Sequence, residues 1–188
     1  MELWVLVAAV VIVALYGVSV YNRLVGQKAR VEEAWSDIQV QMKRRYDLVP
    51  NLVETVKGYA GHERGTLEAV VAARNAAASA NGGPEAQAAA ERTFLGALGK
   101  VIALAEAYPD LKANQNFLAL QQSLEEIEAH INGARRFYNG SVRDLNVSIR
   151  TFPPMLIARA FGFQEAQFFE LDDSEREAAS QPVKVSFS

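Results

Sequence analysis

The side chains that could carry chemistry are scarce and scattered. The chain has two histidines, His62 and His130, and no cysteine, which excludes disulfides, thiolate metal sites and cysteine nucleophiles. A di-iron centre in a helical protein needs two Glu-x-x-His pairs and two further inward carboxylates. Neither histidine has a Glu three positions before it. Glu126 lies four before His130, a spacing that makes a surface contact more often than a metal site. No Gly-x-Ser-x-Gly, Walker loop or dinucleotide fingerprint occurs. Groups for acid–base work or nucleophilic attack gather nowhere along the chain. The expectation is a protein that is not an enzyme and has no catalytic, cofactor-binding or metal-binding residues.

Two polar clusters stand out instead. The first runs from Asp37 to Asp47, holds Lys43, Arg44 and Arg45, and is flanked by Trp35 and Tyr46. It reads either as a solvated helix face with i,i+4 charge pairs or as a docking surface, since Arg, Trp and Tyr are frequent interface anchors. Arg45 is the informative member, because it falls on the apolar stripe of its helix between Ile38 and Leu52. A charge there must be paired internally or point at another subunit. The second cluster runs from Tyr108 to Asn116, where Asn114 or Asp110 is placed to cap a following helix.

The elements that position these residues are helices. Phe117, Leu120, Leu124, Ile127, Ile131, Ala134, Tyr138, Ser141, Leu145 and Ile149 alternate steps of three and four apart from a final pair of fours. That is the seam of a coiled-coil-like helix over about 113–150. A matching stripe, Leu24, Val31, Trp35, Ile38, Met42, Val49, Leu52, Val56 and Tyr59, makes a partner helix that Pro50 is expected to interrupt with a kink. Two shorter helices are expected between them, over about 63–80 and 85–107, divided by Asn81-Gly82-Gly83 with Pro84 in a first turn. Asn139-Gly140-Ser141 and Asn146-Val147-Ser148 match the glycosylation pattern but lie on the packed helix and read as chance. The one strand-like stretch is 182–187.

Residues 3–22 contain no charged side chain, and about 20 apolar residues suffice for a helix to cross a bilayer. A signal peptide would begin with basic residues and end on a small-x-small site; this chain begins with Glu2 and leaves the apolar run at Tyr21-Asn22-Arg23. Trp4, Tyr16 and Tyr21 suit the two interfaces, and Arg23, Lys28 and Arg30 follow the span. The expectation is a retained single-pass anchor with a short outer N-terminus and a cytoplasmic body.

The fold class expected is all-α: a transmembrane helix (1–22) continuing into an antiparallel up-down-up-down four-helix bundle (23–151). An apolar, aromatic segment follows (152–170), and then an acidic flexible tail (171–188). In that topology the last long helix returns toward the bilayer. Leu156, Ile157, Phe161, Phe163, Phe168 and Phe169 then lie near the membrane, either docking on it or plugging the bundle end. A net charge of -3 gives no general pull toward nucleic acid.

Several stretches resemble the LemA family of bacterial membrane proteins: Ala34-Trp35-Ser36-Asp37-Ile38, Lys43 through Val56, Tyr108 through Phe117, Arg136-Phe137-Tyr138-Asn139 and Phe161-Gly162-Phe163. The resemblance extends from the anchor to about residue 170. It implies a short outer N-terminus, one span and a cytoplasmic antiparallel helical bundle in the bacterial inner membrane, and supplies no catalytic residues. The function expected is a membrane-anchored helical scaffold that self-associates and organises or shapes the bilayer, with lipid and further copies of itself as partners. The alternative is an adapter that binds another membrane or envelope protein, such as a sensor or protease, through the Trp35–Asp47 surface.

Overall fold

Between Glu2 and Lys57 the sequence offers a single proline, and one helix spans the whole stretch. The computed structural model describes residues 1–170. Six helices occur among them: α1 (Glu2–Lys57), α2 (Arg64–Ala78), α3 (Gly83–Ala107), α4 (Pro109–Lys112), α5 (Gln115–Arg150) and α6 (Pro154–Ala160). No strand occurs among the described residues, so the fold is all-helical, and α1, α2, α3 and α5 lie close to the limits read from hydrophobic spacing. The short α4 and α6 were not expected. The acidic tail 171–188 and its strand-like stretch 182–187 lie outside the described residues.

The described chain divides into two compact units. The first comprises Met1–Gln39 and Gly133–Gln167. Its contacts run in opposite order along the two stretches. Gly17 faces Ile157, and Tyr21 meets Phe161 and Phe163 with ring centroids 4.7 and 5.9 Å apart. Gln27 Nε2 donates to the Asp144 carbonyl at 3.4 Å, and the Trp35 and Tyr138 rings lie 5.4 Å apart. The pairing is therefore antiparallel. Val20, Leu24, Val31, Ala34, Ile38, Tyr138, Val142, Leu145 and Ala158 are its buried apolar side chains. Earlier on α1 the pattern inverts, for Leu3, Trp4, Ile12, Val13 and most of their neighbours up to Val18 are exposed. This stretch is the part of the described chain that is long and apolar enough to cross a membrane.

α6 ends in a defined way. Gly162 adopts φ +70°, a conformation glycine reaches without a Cβ clash. Its N–H then bonds the Arg159 carbonyl (3.3 Å), while the Phe163 N–H bonds the Ala158 carbonyl (2.9 Å). These two bonds make a Schellman cap and explain why Gly stands between Phe161 and Phe163. Beyond it the chain is strapped back along α5. Arg150 pairs with Glu165, Asn146 exchanges two 2.9 Å hydrogen bonds with the backbone of Ala166, and the Tyr138 hydroxyl donates to the Gln167 carbonyl at 2.7 Å.

The second unit comprises Val40–Asn132 and, among the described residues, 168–170. Met42, Val49, Leu52 and Val56 of α1 are buried here, as are Leu67 and Val70 of α2, Phe94 and Val101 of α3, and Phe117, Leu124 and Ile131 of α5. Asn114 caps α5: its Oδ1 accepts the Phe117 N–H at 3.0 Å and its Nδ2 donates to the Tyr59 hydroxyl at 2.9 Å. Asp110, the other candidate cap, lies inside α4.

α1 remains helical through Pro50, where a kink is expected. Proline has no N–H, so the carbonyl four residues back, that of Tyr46, loses its helical donor. Arg74 of α2 supplies another: its Nε donates to the Tyr46 carbonyl at 3.3 Å, while its Nη1 bonds Asn75 at 3.1 Å. A tertiary hydrogen bond thus replaces a local one. Arg74→Ala is expected to destabilise the protein by about 1 kcal/mol. In a Pro50→Ala background it should cost much less, because the alanine N–H takes over the carbonyl. Urea unfolding of the four variants followed by circular dichroism measures this, and strictly additive effects would contradict it.

Candidate functional site

Met42, Arg45, Val49 and Leu52 follow the inward spacing of α1, and the helix therefore carries the Arg45 guanidinium inside, where it is 1% exposed. An ionised group in that position needs partners, and two helices supply them. Glu91 of α3, fully buried, pairs with Nη2, and Glu128 of α5, 34% exposed, pairs with Nη1. Tyr46 donates its hydroxyl to the other oxygen of Glu91. Gln87, one turn before Glu91, reaches the Tyr46 hydroxyl (3.2 Å) and the Ala77 carbonyl of α2 (3.0 Å). The guanidinium carbon lies 5.3 Å from the centroid of the Phe94 ring, a cation–π distance. Arg45 Nε is buried with no hydrogen-bond partner. The cluster joins α1, α3 and α5 directly and α2 through Gln87.

The electrostatics follow from burial. Removal from water pushes the Glu91 carboxyl up from 4.5 to about 7; the Arg45 charge opposes this and Glu128 adds to it. A carboxyl that titrates near neutrality has the acidity of a general acid or base; here it is enclosed by Arg45, Tyr46 and Gln87. A cleft of about 310 Å³ beside the cluster is lined by Arg45, Leu98, Ile102, Leu124 and Glu128 among others, without Glu91. Both Glu91 oxygens are already bonded within the protein. The cluster is a structural lock between helices. Among the described residues no group of three His, Cys, Asp or Glu side chains is placed to hold a metal, and His62 and His130 are exposed.

The structure divides the residues singled out in the sequence. Asp37, Lys43, Arg44 and Asp47 are exposed on α1, with Lys43 and Asp47 paired at 3.3 Å. Trp35 is half-buried beside Tyr138. Arg45 and Tyr46 face inward, so they do not contribute to a surface patch, and of the two possibilities for Arg45 the internal pair is the one realised. In the aromatic segment Leu156 and Phe161 are exposed, while Ile157 and Phe163 are half-buried against residues 17–21 of α1. Phe168 is exposed. Phe169 is fully buried.

Gln87, Glu91 and Glu128 were missed in the sequence, although a signal existed. Gln87, Glu91, Phe94, Leu98, Val101 and Ala105 step by four and three along one face of α3. Extending that apolar face backwards lands on a carboxylate, the complement of the cation on the α1 stripe.

The model of the LemA family matches residues 34–187, a region that begins past the apolar stretch of α1. Magnetosome proteins MamQ 1 and MamQ 2 of Paramagnetospirillum magneticum are each 24% identical over 188 residues, covering 87% of this chain and 68% of the relative. Protein LemA of Metamycoplasma hominis is 24% identical over 155 residues, covering 82% of this chain and 71% of its own. None of these descriptions names a catalytic activity.

The raised Glu91 value has a consequence for stability. The folded state holds the Glu91 proton more tightly than the unfolded chain, so this contribution is fully present below pH 4.5 and is lost as pH rises through about 7. Thermal unfolding of the full chain in detergent should therefore show wild type losing stability relative to Glu91→Gln between about pH 5 and 8. A difference between the two proteins that does not change with pH would contradict the assignment.

Proposed function

The chain belongs to the LemA family, and from that premise we propose that it is a membrane-anchored, non-catalytic helical scaffold that self-associates and so organises or shapes a patch of membrane. One observation carries the reading. The same unbroken helix exposes apolar side chains from Leu3 to Val18 and buries its later stripe in a packed helical body. An exposed apolar surface of that extent needs lipid around it. The charges that might have formed a reaction centre are consumed in an internal lock, which leaves surfaces as the means of action. That relatives are described as magnetosome proteins fits a structural role.

Arg23, Lys28 and Arg30 are exposed just after the apolar stretch, and a basic flank favours the cytoplasmic side. The proposed location is the bacterial inner membrane, with the N-terminus outside and the helical body in the cytoplasm. A second reading rests on the exposed charges Asp37, Lys43, Arg44 and Asp47 of α1. In it the protein is an adapter whose surface docks a different membrane or envelope protein.

Particle size separates the two. Mass photometry and negative-stain imaging of the full chain in mild detergent, beside a form lacking residues 1–21, should show a large uniform particle that collapses when the anchor is removed. A monomer or small dimer in both samples would overturn self-association and leave the adapter.

A further inference from the structure

Three large apolar side chains stand exposed within ten residues at the end of α5 and along α6: Phe152 at 70%, Leu156 at 55% and Phe161 at 63%. Scattered singly on a surface they would need no explanation, but their place does. α6 packs against α1 where the apolar stretch ends. Ile157 Cδ1 lies 3.7 Å from where a Cβ on Gly17 would stand, and Phe161 and Phe163 sit on Tyr21. Gly17 precedes Arg23, the first charge after the stretch, by six residues, or about 9 Å of helix. An element lying in a membrane interface buries its apolar face about 5–10 Å into the boundary between headgroups and acyl chains. The Tyr21 ring has the amphipathic character that favours the same layer.

Cationic groups complete the arrangement. Arg159 of α6 and Arg23 of α1 are both exposed, and long basic side chains beside an interface keep their stems in the apolar layer and their charges among the headgroups. The geometry of α6 is fixed as well, by Pro154 at its start and by the Schellman bonds at Gly162. The apolar face is thus held at a set depth and orientation by packing onto the membrane helix itself.

We infer that α6 with its flanking Phe152 and Phe161 is a second membrane-contacting element, a wedge inserted in the interface of the leaflet that α1 enters at Tyr21. Its ligand is the lipid surface, through acyl chains at Leu156 and the two phenylalanines and headgroup phosphates at Arg159 and Arg23. The inference rests on the reading of α1 as a span. A wedge on one leaflet, next to a fixed span, adds area to that leaflet and gives the proposed membrane shaping a physical means.

The absence of cysteine makes the test direct. Single cysteines at Leu156 and Phe161, at Val10 in the span and at Arg143 on the exposed face of α5 are introduced one at a time into the full chain and spin-labelled. The protein is then reconstituted in vesicles of phosphatidylcholine and phosphatidylglycerol. Power saturation with oxygen, which enters lipid, and with a water-soluble nickel chelate reads the depth of each label. The expected result is a high oxygen-to-nickel ratio at 156 and 161, severalfold above that at 143 and below that at 10. Nickel accessibility at 156 and 161 equal to that at 143, with 10 still in lipid, overturns the wedge and leaves the anchor intact. Protection of 156 and 161 from both reagents means protein covers the face, which also overturns it. A water-accessible label at 10 removes the span and the wedge together.

Discussion

A guanidinium cannot be left unpaired in an apolar interior, and Arg45 is held in one. The arrangement of the second unit follows from that constraint. α3 must bring Glu91 to one edge of the guanidinium, α5 must bring Glu128 to the other, and Tyr46 and Gln87 must satisfy what Glu91 has left. A buried ion pair of this kind adds little net stability over apolar residues of the same volume. Its effect is on register. Sliding any of the three helices by one turn would strand a charge, whereas a purely apolar seam would tolerate the slip. The Phe94 ring against the guanidinium and the Arg74 bond to the Tyr46 carbonyl place further side chains of α3 and α2 around the same turn of α1.

The second constraint is solvent. Apolar side chains from Leu3 to Val18 are exposed on α1, and no other part of the first unit covers them. The same unit carries α6 beside Gly17 and Tyr21, with its own uncovered phenylalanines. Polar chemistry is spent inside the protein and apolar surface is presented outside.

The helices were legible because their signal is local. Steps of three and four located α1, α2, α3 and α5, and Arg45 declared itself as a charge on an apolar stripe. What the spacing does not encode is which face meets which. Glu91 occupies an apolar-face position of α3, but only the packed structure shows that this position meets Arg45. Pro50 illustrates the same limit, since the lost N–H is local while the donor that serves the Tyr46 carbonyl comes from α2. α6 carried its own punctuation, Pro154 at the start and Gly162 after the end, in a segment too short for periodicity to register. Asn146 looked like a chance glycosylation pattern. Its side chain instead holds the backbone of Ala166, twenty residues away, a role with no sequence signature.

Arg45 and Glu91 act as one unit inside the protein. The direct measurement is a double-mutant cycle of Arg45→Met, Glu91→Leu and the pair, by urea unfolding of the full chain in detergent at pH 8, where Glu91 is ionised. Arg45→Met should cost about 3 kcal/mol or more by stranding the buried Glu91, Glu91→Leu should cost less because Glu128 still pairs with Arg45, and the double variant should be more stable than Arg45→Met alone. Additive losses, or an Arg45→Met variant as stable as wild type, would mean that the two side chains are not coupled.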